Sequence, residues 1–216
     1  MPLIFYCGSG SPYAWRVWLA LEHKQIPYEL KILSFDAGDL RKPEFLKLNP
    51  RHRVPVIVDG DFALYESAAI LEYLEDKYPA TDPQRVLFPA NIQQRASVRR
   101  LIREIDQYFS AGIERLVEQI LFTPKEKWNE AEISAARQIC HDELAYFERI
   151  LGGDFLAGAV SAADFSLYPL LALSLRMQKR KPELAMDSAI GPKLDGWKQR
   201  LEALAYFPKT YPPHWK

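Results

Sequence analysis

Arg53-Val54-Pro55-Val56-Ile57-Val58-Asp59-Gly60-Asp61-Phe62-Ala63-Leu64-Tyr65-Glu66-Ser67 is the stretch that decides the fold. Val54–Val58 is a short apolar run, β-branched apart from Pro55, and reads as a strand. Asp59-Gly60 between two apolar runs is a hairpin signal, so the chain turns and returns along Phe62–Tyr65. Glu66 and Ser67 then open a helix that reaches Tyr78, with Ile70 and Leu74, flanked by Ala69 and Tyr73, on one side. Pro55 has no N–H to give a sheet ladder, so it belongs at the very start of its strand.

Upstream, the pattern alternates. Leu3–Cys7 reads as a strand, ended by Gly8-Ser9-Gly10-Ser11-Pro12. Serine followed by proline is a helix start, with Ser11 as N-cap and Pro12 at the first helical position. Ala14, Val17, Trp18 and Leu21 give that helix its apolar face. Tyr28–Leu33 alternates like a half-buried strand, and Pro43–Leu48 reads as a short helix closed by Asn49-Pro50. The order is βαβαββα, an α/β unit.

Downstream, Pro79, Pro83 and Pro89 lie among threonine, aspartate and asparagine, which is linker composition. The expected division is an α/β domain over 1–80, a linker over 81–91 and an all-helical domain over 92–216. Helices are predicted from Ile92 to about Ile120, from Asn129 to Leu151, and from Ser161 onward. Phe165–Leu175 is apolar nearly all round and should be the buried central helix. Gly191-Pro192 opens a last helix that ends before Pro208.

The chain has 216 residues, 28 lysines and arginines against 28 aspartates and glutamates. Zero net charge argues against a protein devoted to phosphate backbones or anionic membranes. Hydrophobic residues make up 48 %, so disorder is excluded. No apolar run is long enough to span a bilayer and no basic leader precedes the first strand. The expected location is cytoplasmic and the expected partners are small molecules or proteins. The two cysteines, Cys7 and Cys140, are far apart and make no metal or redox spacing.

Four places carry possible chemistry. Ser11 sits where a strand hands over to a helix N-terminus, a position that favours negative charge. It is either a plain N-cap or a hydrogen-bond donor to a ligand thiolate, since no cysteine stands there. A cis bond at Val54-Pro55 would turn the Val54 carbonyl and N–H toward an extended, peptide-like ligand. Glu66-Ser67 is either an ordinary helix start or a site where Ser67 takes a carboxylate and Glu66 an ammonium. Arg41, Lys42, Arg51, His52 and Arg53 are either solvated charges or partners for a second carboxylate. Together these describe one pocket for a zwitterionic peptide thiol.

Ser11-Pro12-Tyr13-Ala14-Trp15-Arg16-Val17, Asn49-Pro50, Arg53-Val54-Pro55-Val56-Ile57, Glu66-Ser67-Ala68-Ala69-Ile70-Leu71-Glu72-Tyr73-Leu74, Phe155-Leu156-Ala157-Gly158 and Ser161-Ala162-Ala163-Asp164 occur in that order. On these motifs the whole chain resembles the cytosolic glutathione transferases, in particular serine-type, bacterial-like members. The resemblance implies a thioredoxin-like first domain with cis Pro55, an all-helical second domain, and a homodimer. It implies glutathione as cosubstrate with no bound metal or organic cofactor. Ser11 would be catalytic, holding the glutathione thiolate that attacks a small hydrophobic electrophile in detoxification. Arg41, Arg53, Val54, Glu66 and Ser67 would bind glutathione. Tyr13, Tyr108, Phe109 and Arg115 would line the electrophile pocket, and Ser161 with Asp164 would form a structural capping box. Ser9, Tyr6 and Tyr13 are the competing hydroxyls. Isomerases of the zeta type carry Ser-Ser-Cys where this chain has Ser11-Pro12-Tyr13. The other readings are a glutathione-dependent peroxidase or dehalogenase, and a non-catalytic binding protein on the same fold.

Overall fold

The computed structural model describes residues 2–215. The chain forms two compact units, Met1–Ala90 with Leu204–Lys216, and Asn91–Ala203.

In the first unit the order is β1 (Leu3–Gly8), α1 (Pro12–His23), β2 (Tyr28–Leu33), α2 (Pro43–Leu46), β3 (Val56–Asp59), β4 (Phe62–Tyr65) and α3 (Ser67–Lys77). The four strands lie in the order β2-β1-β3-β4. β1 and β2 are parallel, and such a pair needs a crossover, which α1 supplies. β3 runs antiparallel to both neighbours, with Phe5 opposite Ile57 and Asp59 opposite Phe62. Gly60, with φ +61°, closes the β3–β4 hairpin in a conformation that a side chain would strain. This is the thioredoxin-like arrangement.

Helix α1 departs from the simple amphipathic reading. Every residue from Ala14 to Leu21 is buried, including Arg16. The reason is that α1 packs on β1, on α3 and on the short helix Phe207–Thr210. Trp15 donates from Nε1 to Thr210 Oγ1 at 3.0 Å, and its ring meets Phe207, Tyr211 and Trp215. Residues from Leu204 on thus belong to the first unit rather than to the helical domain expected over 92–216.

The expected linker over 81–91 is also mostly part of the first unit. Leu87 and Phe88 are buried, and the Glu75 carboxylate accepts from Leu87 N at 3.0 Å and pairs with Lys24 at 2.6 Å. Arg85 donates to the His23 carbonyl at 3.0 Å. The prolines that suggested a linker flank an apolar anchor.

His23 is buried beside Tyr206, whose hydroxyl lies 2.8 Å from Nδ1. Burial, with Arg85 and Lys24 nearby, holds its pKa down at about 4. The unfolded imidazole, near 6.5, takes a proton first, so this residue removes stability as pH falls from about 6.5 to 4, up to about 3 kcal/mol. Urea midpoints measured across that window should fall more steeply for the native chain than for His23→Gln.

In the second unit α4 (Ile92–Glu104) continues through a wider, π-helical turn, Ile105–Phe109, into α5 (Ser110–Val117), and a second such turn follows at Glu118–Phe122. α6 (Glu130–Ile150), α7 (Ala162–Gln178) and α8 (Pro192–Glu202) complete it. Asn91 and Asn129 cap α4 and α6. α7 is buried almost throughout, as its apolar composition requires. At its start Ser161 and Asp164 form the capping box. The buried Asp164 carboxylate accepts from Ser161 N at 2.8 Å, Ser161 Oγ at 2.8 Å, Leu156 N at 2.9 Å and Trp197 Nε1 at 2.8 Å. It thereby ties α7 to the preceding loop and to α8. Among the described residues no helix is long and apolar enough to cross a membrane.

Candidate functional site

Gly8–Ser11 is a tight turn, closed by Ser11 N donating to Gly8 O at 3.0 Å. Gly10 has φ +83°, the left-handed value that the third residue of such a turn requires. Ser11 leaves the turn in extended conformation and caps α1, its Oγ accepting from Ala14 N at 3.3 Å. The cap uses a lone pair of the hydroxyl and leaves its proton for another acceptor. Capping and donation to a ligand are therefore compatible uses of one side chain.

The Val54-Pro55 bond is cis. β3 begins only at Val56, so the Val54 N–H and C=O lie outside its ladder. Asn49 shapes the approach to it. Asn49 Nδ2 donates to Arg53 O at 2.7 Å and Asn49 Oδ1 accepts from Arg51 N at 3.0 Å. The Arg53 side chain is exposed and joins no ion pair among the described residues. Arg41 is exposed on a single helical turn, Asp39–Arg41, immediately before α2.

Glu66 stands at φ +70°, ψ 103°, outside the regions open to ordinary side chains. Holding a non-glycine residue there costs on the order of 1–3 kcal/mol, and such residues cluster at ligand sites. Its side chain does not cap α3, and Ile70 N is the first to bond within the helix, to Glu66 O. The N–H groups of Ser67, Ala68 and Ala69 are thus left at the positive end of the helix. Ser67 is buried, and its Oγ accepts from Arg16 Nη2 at 2.5 Å. Local reading of the candidate site did not single out Arg16, which the fold brings to Ser67. Its signal was a charge within the apolar run Tyr13–Leu21, and the fold places that guanidinium behind the start of α3.

A model of the glutathione S-transferase N-terminal domain matches residues 10–77. The chain is 33 % identical to a glutathione S-transferase of the Antarctic clam Laternula elliptica, whose crystal structure superposes with a TM-score of 0.80, over 100 % of this chain and 94 % of that one. It is 30 % identical to a probable maleylacetoacetate isomerase of Vibrio cholerae, over 98 % of this chain and 96 % of that one. The chain belongs to the glutathione S-transferase family. A more local similarity, 44 % over 91 residues, links it to glutathione S-transferase 1 of Dianthus caryophyllus, covering 42 % of this chain and 39 % of that relative's length.

As a glutathione S-transferase relative, the chain brings no reactive thiol of its own. Burial pushes the Cys7 thiol up to about 12 and the Cys140 thiol likewise to about 12. Of the residues expected to meet an electrophile, Tyr13 is half-buried under the Arg16 guanidinium, and Tyr108 is 50 % exposed. Phe109 is a correction: it is fully buried against Phe147 and fills the core. Arg115 is engaged by Glu132 at 2.5 Å, so its charge is already answered.

Proposed function

We propose that the chain is a serine-type glutathione transferase acting in the cytoplasm as a homodimer. The Ser11 hydroxyl donates to the sulfur of glutathione and holds it as thiolate. The thiolate attacks an electrophilic carbon of a small hydrophobic substrate; a carbon–sulfur bond forms and the leaving group departs with the electron pair of the bond it breaks. The observation that carries this reading is the Ser11 hydroxyl, which accepts the Ala14 N–H at a helix N-terminus and retains its own proton. Beside a positive helix end, such a donor favours the ionised thiol.

The rest of the tripeptide has partners of the right kind. The free N–H groups at the start of α3, backed by Arg16, suit the carboxylate of the γ-glutamyl end, and Glu66 suits its ammonium. The Val54 backbone suits the central peptide. Arg53, with Arg41, suits the glycine carboxylate.

Binding tests this first. The chain should be retained on immobilised glutathione and released by free glutathione; failure to bind would favour the non-catalytic reading. Glu66→Ala with Ser67→Ala should weaken binding, measured by calorimetry, about 10-fold or more through lost charge-assisted hydrogen bonds. Unchanged affinity would return both residues to a plain helix start.

A second reading is isomerase, favoured by the full-length similarity to the Vibrio cholerae relative. The same thiolate would add to a conjugated cis-alkene, allow rotation and leave again. One panel with an aryl halide, a hydroperoxide, a haloalkane and maleylacetoacetate separates transferase, peroxidase, dehalogenase and isomerase.

A further inference from the structure

We propose that His214 is a positioning residue for Ser11, so that the segment Leu204–Trp215 is a working part of the thiolate site. The inference rests on the reading of Ser11 given above. Contacts at three places carry it. His214 Nδ1 lies 2.6 Å from Ser9 Oγ, on the turn that delivers Ser11. His214 and Trp215 pack close against Gly10, where a Cβ would come within 2.7 Å of His214 Cε1 and 3.0 Å of Trp215 Nε1. The same segment holds the first turn of α1 through Trp15, by the Thr210 hydrogen bond and the ring contact with Trp215, centroids 5.5 Å apart.

Ser11 stands between the two elements held in this way. The turn before it is glycine-rich and has one cross-turn hydrogen bond to define it. Glycine backbone is permissive, so an outside brace decides where the turn rests. The hydrogen-bond direction is also set. Trp215 Nε1, a donor only, reaches His214 Nε2 at 3.0 Å. Nε2 therefore accepts, the neutral ring carries its proton on Nδ1, and Nδ1 donates to Ser9 Oγ. A displacement of about 1 Å at a reacting group costs up to about 100-fold in rate, so a brace that fixes this turn acts on catalysis without touching substrate.

The test compares His214→Ala, His214→Asn and Ser9→Ala with Ser11→Ala in the full chain. The readouts are kcat, the glutathione Kd by calorimetry, and the pKa of bound glutathione thiol followed by ultraviolet thiolate absorbance. Thermal melting checks that each variant folds; His214 is exposed, so the alanine variant leaves the core intact. His214→Ala should lower kcat about 10-fold and raise the bound-thiol pKa, with Kd unchanged. His214→Asn, which keeps a donor near the Nδ1 position, should recover most of the loss. Ser9→Ala should reproduce His214→Ala, and the double variant should add little, as expected of one shared contact.

Native kcat and thiol pKa in a folded His214→Ala, while Ser11→Ala impairs both, would overturn this inference alone. No effect of Ser11→Ala would overturn it together with the reading of Ser11. A Ser9→Ala loss far exceeding that of His214→Ala would also overturn it, by placing the Ser9 hydroxyl itself at the sulfur.

Discussion

Asp164→Ala is expected to cost about 4 kcal/mol of stability and to lower the urea midpoint sharply without changing the slope. Its carboxylate takes hydrogen bonds from Ser161 N, Ser161 Oγ, Leu156 N and Trp197 Nε1, all from the second unit. Alanine leaves those donors buried and unanswered, each at about 1–3 kcal/mol. The set contains donors only, so the acceptor must be a carboxylate; asparagine would turn an amide N–H toward at least one of them. Ser161→Ala serves as the control. It removes one hydroxyl and leaves both backbone donors paired, so it should cost about 1–2 kcal/mol, an ordinary cap loss. Equal costs for Asp164→Ala and Ser161→Ala would mean that the cap alone matters and the ties to Leu156 and Trp197 do not.

Ser11→Ala is expected to lower kcat with an aryl halide about 100-fold at pH 6.5, with a much smaller change in glutathione affinity. An ordinary thiol titrates near 8.5, so about 1 % is ionised at pH 6.5 without help. Losing one preorganised donor to an anion typically costs about 100- to 1,000-fold. The sign of the pH dependence follows. On the proposed reading the native chain ionises the thiol of bound glutathione at lower pH, so the deficit of the variant should shrink as pH rises through about 8.5. A kcat/KM profile whose apparent pKa moves up in the variant is the result to look for. The lost cap predicts a separate, smaller effect, about 1 kcal/mol of stability, which does not vary with pH in this way. Ser11→Gly separates the two, because glycine caps nearly as well but has no hydroxyl. A deficit that neither high pH nor excess glutathione relieves would assign the sulfur to Ser9 or Tyr13.

Much of the first unit was legible locally. The Asp59-Gly60 turn and the Ser11-Pro12 start are punctuation with a mechanism, and each marks an element boundary in the structure; the helix expected over Pro43–Leu48 ends earlier, at Leu46, before the Asn49-Pro50 stop. In the second unit the Ser161–Asp164 box read equally well, whereas the caps at Asn91 and Asn129 were not singled out. What escaped was non-local. The pairing of Arg16 with Ser67 joins two helices whose sequences show only their own periodicity. The fate of residues 81–90 depends on Glu75, and that of Leu204–Trp215 on Trp15 and Ser9. Phe109 was misplaced because an aromatic on a helix looks the same whether it faces a ligand or Phe147. The π-helical turns after Glu104 and Val117 shift the helical register without a proline or glycine inside them to announce them.

The two buried thiols have a further consequence. On the proposed reading the protein meets thiol-seeking compounds continuously, and an accessible thiolate of its own would be consumed by them. Cys7 and Cys140 are both screened from solvent and held near pKa 12, out of reach of such reagents. The sulfur that reacts on the proposed reading arrives with one ligand and leaves with the product. On that reading the protein's own side chains form no bond to the substrate, and the stability of the fold, not the chemistry passing through it, would limit its working lifetime.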